Sequence, residues 1–211
     1  MCLGCGCRVT GEVVCAGCGW PLCEAGRSCA EAWRHSDQEC RALAPSGPAT
    51  AAAAAAGEEV CGVYRAVMAL RVLQLEPAER DYLLEFMDHS EDREPGEADS
   101  VVETIRGTWG QRQHGEQLIR RVEGILDVNT VEHRVAQEGA PSGQAFLPIT
   151  SLASHSCRSN SFKDKVSVPG WVVTRAKRAI RAGEEITFHY CGGLKGRLMR
   201  RWVPPEPARA N

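Results

Sequence analysis

The chain has 211 residues, 43% hydrophobic and 25% charged, with a formal net charge of −2. That length holds one moderate domain plus a small module, or two small domains. The sequence pI near 6.3 gives no electrostatic ground for binding DNA or an anionic membrane, so neither is an expected partner. No run of about 18 apolar residues exists to span a bilayer. Met1-Cys2-Leu3-Gly4-Cys5 has neither the basic start nor the apolar stretch of a secretory signal. The expectation is an intracellular protein, nuclear or cytoplasmic, whose thiols stay reduced.

Cysteine usage is lopsided. Eight of the 11 cysteines fall within the first 40 residues, while Cys61, Cys157 and Cys191 are scattered. Cys2-x-x-Cys5 and Cys15-x-x-Cys18 each set two thiolates about one metal–sulfur tetrahedron edge apart, and Cys23, Cys29, His35 and Cys40 follow. Together they supply eight ligands, enough for two closed tetrahedral zinc sites with no position left for water. Closed sites are structural rather than catalytic. Few large apolar residues lie between the ligands, so metal is expected to replace a hydrophobic core there. Cys7 is surplus, because Cys2 and Cys5 keep the x-x spacing that Cys7 breaks.

Residues 42–58 hold two prolines, two glycines and a run of six alanines. The prolines and glycines disfavour continuous structure although the alanines suit a short helix, and the segment is expected to be a linker. From residue 59 to residue 133 the apolar period becomes helical. Val60, Val63, Tyr64, Val67, Leu70 and Leu73 predict one helix, and Pro77 opens a second carrying Tyr82, Leu83, Phe86 and Met87. The acidic stretch 89–100 reads as a loop, and helices are expected around 101–109 and 116–126. The period changes again after that, with short strands predicted at 144–149, 171–174 and 186–190. Between them lies Ser154-His155-Ser156-Cys157-Arg158-Ser159-Asn160. A loop so dense in hydrogen-bonding groups suits a metal site, a nucleophile site with Cys157 beside His155, or a cofactor cradle.

Three segments carry a family resemblance. The string Cys15-x-x-Cys18-Gly19-Trp20-Pro21-Leu22-Cys23, with Cys2, Cys5, Cys29, His35 and Cys40, resembles a MYND zinc finger of the form found in arthropod SET-and-MYND proteins. The resemblance implies interleaved sites, with Cys2, Cys5, Cys23 and Cys29 on one zinc and Cys15, Cys18, His35 and Cys40 on the other. The Cys23–Cys29 and His35–Cys40 spacings are each longer than the family's usual ones. MYND fingers bind protein partners, often proline-containing peptides. The second segment, Gly124-Ile125-Leu126-Asp127-Val128-Asn129-Thr130-Val131-Glu132, resembles the stretch that returns from the family's helical insert to its SET fold. Its asparagine hydrogen-bonds the methyl donor, which makes Asn129 a cofactor candidate; on residue type alone an asparagine equally caps a helix end.

The third comprises residues 147–160 and 178–190, which look like the two C-terminal signatures of a SET domain: the Asn-His-Ser-Cys-x-Pro-Asn loop, then Gly-Glu-Glu leading to a tyrosine. The implied fold class is α+β, with a MYND finger at 1–41, a linker at 42–58, a helical insert at 59–133, a β-rich C-terminal SET core at 134–203 and a tail at 204–211. The implied activity is S-adenosylmethionine-dependent methylation of a protein lysine, by direct displacement from a sulfonium onto a neutral amine held in line. Tyr190 matches the family's orienting tyrosine. His155 and Ser154 match the cofactor-binding pair, and Asn160 matches the asparagine that knots the loop.

Two departures stand inside the signature, where Ser154 replaces the asparagine and Ser159 the proline. Where the family's bond to the cofactor runs to the asparagine side chain, the shorter serine is expected to weaken it by about 1 kcal/mol. The 211 residues also begin at the finger, without the family's Gly-x-Gly strands, and show no Cys-x-Cys after Cys191 for a third, post-SET zinc. With those two walls missing, the expectation is no detectable methyl transfer by these residues alone. The alternative expectation is a non-catalytic MYND adaptor or transcriptional regulator on a SET-like scaffold.

Overall fold

A computed structural model describes residues 2–4, 9, 11–23, 36–56, 61–89, 96, 98–134, 142–164 and 172–190. The chain divides into two compact units, Met1–Pro148 and Ile149–Asn211. Helices and strands mix along it, so the class is α+β. No helix among the described residues is long and apolar enough to cross a membrane.

The first unit starts with a cysteine ribbon. Val14 and Pro21 form an antiparallel bridge, flanked by Cys15 N–H donating to Trp20 O at 2.9 Å and Leu22 N–H to Val13 O at 2.8 Å. The turn between them needs Gly19 at φ +73°, a left-handed conformation that glycine takes without penalty. Helix α1, Asp37–Leu43, begins where the Ser36 side chain accepts from Glu39 N–H, and Asp37 and Glu39 complement the helix dipole.

The stretch expected to be a linker is not one. A 3₁₀ turn, Ala44–Ser46, leads into α2, Gly47–Ala55, where Pro48 sits in the first turn and the alanines propagate the helix. Thr50 and Ala54 are buried. A Cβ on Gly47 would come within 1.7 Å of Cys18 O, and one on Gly11 within 2.5 Å of Ala51 O. The helix therefore lies hard against the cysteine ribbon. Proline and glycine here mark a helix start rather than broken structure.

Helices α3 (Cys61–Leu73), α4 (Pro77–Leu84), α5 (Asp99–Glu103) and α6 (Glu116–Asn129) follow. Phe86 and Met87 fall beyond α4. The helix expected around 101–109 is α5 continued by one wide turn, Thr104–Thr108, in which Trp109 N–H reaches back to Thr104 O. Strands β1, Thr130–Arg134, and β2, Ser142–Phe146, pair antiparallel from Thr130↔Phe146 to Arg134↔Ser142. The strand expected at 144–149 stops at Phe146, and Pro148 opens a one-turn helix α7, Pro148–Ser151.

One apolar core joins ribbon and helices. Leu3, Cys18 and Trp20 belong to the same buried cluster as Leu43, Val67, Leu70, Ile105, Trp109, Ile119 and Val122. Trp20 is fully buried, edge-on to Tyr64 at 5.3 Å and to Trp109 at 6.2 Å. Its indole Nε1 donates to Leu43 O at 2.9 Å, and that of Trp109 donates to Ser46 Oγ at 2.7 Å. Arg71 adds a polar tie, donating from Nη2 to Leu3 O and from Nε to the buried Glu39 carboxylate, each at 2.9 Å. The ribbon thus has an apolar core after all, borrowed from the helices.

The second unit holds short paired strands. β3, Ser154–His155, runs parallel to β6, Thr187–Phe188, and β4, Ser161–Asp164, runs antiparallel to β5, Val173–Ala176. The strands expected at 171–174 and 186–190 are thus β5, shifted toward the C-terminus, and β6, shortened to two residues. Trp171 and everything after Tyr190 lie outside the described residues.

Candidate functional site

In the cysteine ribbon the structure gathers Cys15, Cys18 and Cys40, whose sulfur atoms all lie within 4.8 Å of one another. Cys15 and Cys40 Sγ are 3.8 Å apart, which matches the edge of about 3.8 Å that a tetrahedron with zinc–sulfur bonds of about 2.3 Å requires. The tight turn of residues 15–18 supplies two thiols, and the first turn of α1 supplies the third. Gly17 is what lets them meet, because a Cβ there would stand 2.6 Å from Cys40 Sγ.

Burial pushes the Cys18 thiol up to about 12, helped by the sulfurs of Cys15 and Cys40 beside it. Burial, then Cys15, pushes Cys40 up too. Cys15 is also opposed by burial, but backbone hydrogen bonds from Cys18 and Gly17 outweigh it and hold the thiol below its usual value. Cys18 and Cys40 thus resist ionisation on their own, whereas a divalent soft cation stabilises all three sulfurs as thiolates. The donor set fits zinc. Cys2 and Cys23, 1% and 5% exposed, come together in a separate small cluster with Val9 and Leu22. Cys5, Cys7, Cys29 and His35 lie outside the described residues.

In the second unit the loop of residues 154–160 is threaded beside β6. Ser154 and His155 pair with Thr187 and Phe188, and Ser156 N–H donates to Phe188 O at 2.8 Å. Asn160, only 3% exposed, holds the loop closed. Its amide donates to Glu185 O at 2.7 Å and to a Glu184 carboxylate oxygen at 3.2 Å, while its Oδ1 accepts from Thr187 N–H at 2.9 Å. Ser161 Oγ donates to Thr187 O at 2.7 Å, and Lys177 N–H donates to Asn160 O at 2.8 Å. Ser161, Lys177 and Thr187 thus join the site although sequence reasoning passed over them. Their roles are backbone-directed, which side-chain type does not signal.

This threading sets His155 beside Tyr190, with ring centres 5.3 Å apart. His155 Nδ1 accepts from Tyr190 N–H at 3.1 Å. The neutral imidazole therefore carries its proton on Nε2, which points at Cys157 Sγ at 3.4 Å. In that tautomer His155 donates toward the sulfur and does not stand as its base, so the nucleophile-site alternative loses its activating group. Tyr190 Oη donates to Ala153 O. Burial, then the nearby Glu185, raises the Tyr190 phenol, which stays protonated as an oriented donor.

The other two cofactor candidates are engaged within the protein. Ser154 Oγ donates to Glu185. The Asn129 amide, at the end of α6, donates to Met87 O and to Ile125 O, each at 2.8 Å. As placed, the Asn129 and Ser154 side chains are bonded within the protein, while His155 and Tyr190 lie side by side.

The comparison with curated proteins finds no match. Residues 49–191 match the SET domain, more than half of the chain, and the chain belongs to the SET domain family.

Proposed function

We propose that this protein is a SET-and-MYND-type protein-lysine methyltransferase, using S-adenosylmethionine and carrying a two-zinc MYND finger that docks a protein or peptide partner. The single observation behind it is the closed loop in which Asn160 fastens residues 154–160 to β6 and sets His155 against Tyr190. S-adenosylmethionine, when bound, supplies an activated methyl group. This chain's part is to orient: Tyr190 Oη presents a protonated phenol, and His155, fixed in one tautomer by Tyr190 N–H, shapes the neighbouring wall. Side-chain orientation of this kind matters because a misplacement of about 1 Å costs on the order of a hundredfold in rate. The finger reading is supported by the three converging thiols and by the separate Cys2 and Cys23 cluster.

A second reading, a non-catalytic adaptor on a SET scaffold, is favoured by one specific observation: two of the three candidate contacts for the methyl donor, Asn129 and Ser154, are bonded inside the protein. Transfer from a tritiated donor to histones and lysine-rich peptides separates the two. Incorporation that Tyr190→Phe abolishes selects the enzyme; a chain that neither binds the donor nor transfers from it selects the adaptor.

A further inference from the structure

The net charge of −2 conceals a strong segregation. Residues 149–211 carry 12 Lys and Arg against 4 Asp and Glu, while residues 1–148 carry 13 against 23. Every lysine of the chain falls in the second stretch. The near-neutral total that argued against polyanion binding is thus an average of two opposite halves.

Within the second unit four of the six described basic residues lie close to the knot around Asn160. Arg158 is two residues from Asn160, and Lys177 N–H bonds Asn160 O while its ammonium donates to Ser159 Oγ. Arg178 grips Glu184, the residue that also accepts from Asn160, and Arg181 N–H donates to the same carboxylate. Arg158, Lys177, Arg178 and Arg181 are all exposed. Glu184 is the acid that meets this group; the guanidinium groups of Arg158 and Arg181 have no partner among the described residues.

We infer that this exposed basic face of the second unit, centred on Arg158, Lys177, Arg178 and Arg181, is a binding surface for the phosphate backbone of nucleic acid. The excess of eight cations over acids in residues 149–211 suits the unbroken row of charges along a phosphate backbone. Eight of the 12 cations are arginine, whose planar fork takes phosphate oxygens two at a time and is weakly hydrated. The face reads charge and not sequence, so it anchors the protein on a polyanion without selecting a site.

The test uses the full chain and a short fluorescein-labelled DNA duplex, followed by anisotropy between about 50 and 200 mM salt. Each phosphate contact contributes about 0.9 to the slope of log affinity against log salt. The double variant Arg158→Ala/Arg181→Ala, with an unchanged circular dichroism spectrum, should flatten that slope by about 1.8. Its loss of affinity across this salt range then shrinks by about tenfold relative to wild type. Arg158→Lys/Arg181→Lys should keep the wild-type slope. Failure of the full chain to bind at about 50 mM salt overturns the inference. So does a slope that the alanine variant leaves unchanged, or polyglutamate held as tightly as the duplex, which assigns the face to an acidic protein.

Discussion

Gly17→Ala isolates the geometry of the thiol cluster. The added methyl would begin 2.6 Å from Cys40 Sγ, closer than real Cβ contacts come, and an ordinary contact needs 3.4–4 Å. Cys40 or the turn must therefore move by about 1 Å, several times the tolerance of about 0.2 Å on a zinc–ligand distance. Structural zinc binding is worth about 10–16 kcal/mol for four ligands, so losing one thiolate costs on the order of 3 kcal/mol, or about a hundredfold in affinity. Competition of zinc-loaded protein against a chromophoric chelator measures this, with metal analysis for stoichiometry. Gly62→Ala is the control: a methyl there meets nothing within 4 Å, and on the exposed surface of α3 it should leave zinc untouched while stabilising the helix slightly. Wild-type zinc affinity in Gly17→Ala would show that these three sulfurs do not share a metal.

Trp20→Ala should destabilise the first unit by about 3–5 kcal/mol and lower zinc affinity with it, because the indole is common to ribbon and helices; thermal unfolding with and without chelator reads both effects. Asn160→Ala leaves Thr187 N–H and Glu185 O without their partner, at a cost of about 1–3 kcal/mol for each group left buried. Accelerated hydrogen exchange at Thr187 with little change in α3 would localise the damage. Glu184 is held down to about 2 by Arg178 first, then by the Arg181 backbone and Asn160. A depressed carboxylate contributes above its ordinary value of 4.5 and loses that contribution as pH falls from there toward 2. The Arg178–Glu184 latch should therefore survive at pH 5 and open near pH 2, and Arg178→Ala should return the Glu184 titration, followed by NMR, toward 4.5.

Much of the helical architecture was legible in the sequence because α3 and α6 carry uninterrupted apolar stripes at helical spacing. The segment at 42–58 was misread because Pro48 and Gly47 look like breakers in isolation. Only the approach of Cys18 O to Gly47 reveals why glycine is needed and why a helix packs there. Trp20 stood out within its motif, but its service to a core shared with Tyr64 and Trp109 depends on contacts more than 40 residues away, which periodicity does not encode. In the second unit the loop residues were visible as a cluster of hydrogen-bonding types. Their wiring was not, since Ser161, Lys177 and Thr187 act largely on backbone groups. For Asn129, where helix capping and cofactor contact weighed equally, the structure shows a helix-end residue bonded to two carbonyls.

The central claim, a SET site assembled by the knotted loop, is tested most directly by calorimetric titration of the zinc-loaded 211-residue chain with S-adenosylmethionine. The account predicts saturable binding at one site, weakened at least tenfold (about 1.4 kcal/mol) by His155→Ala and strengthened several-fold by Ser154→Asn, which restores the family's amide. Absence of binding, or binding that His155→Ala leaves unaltered, would contradict it.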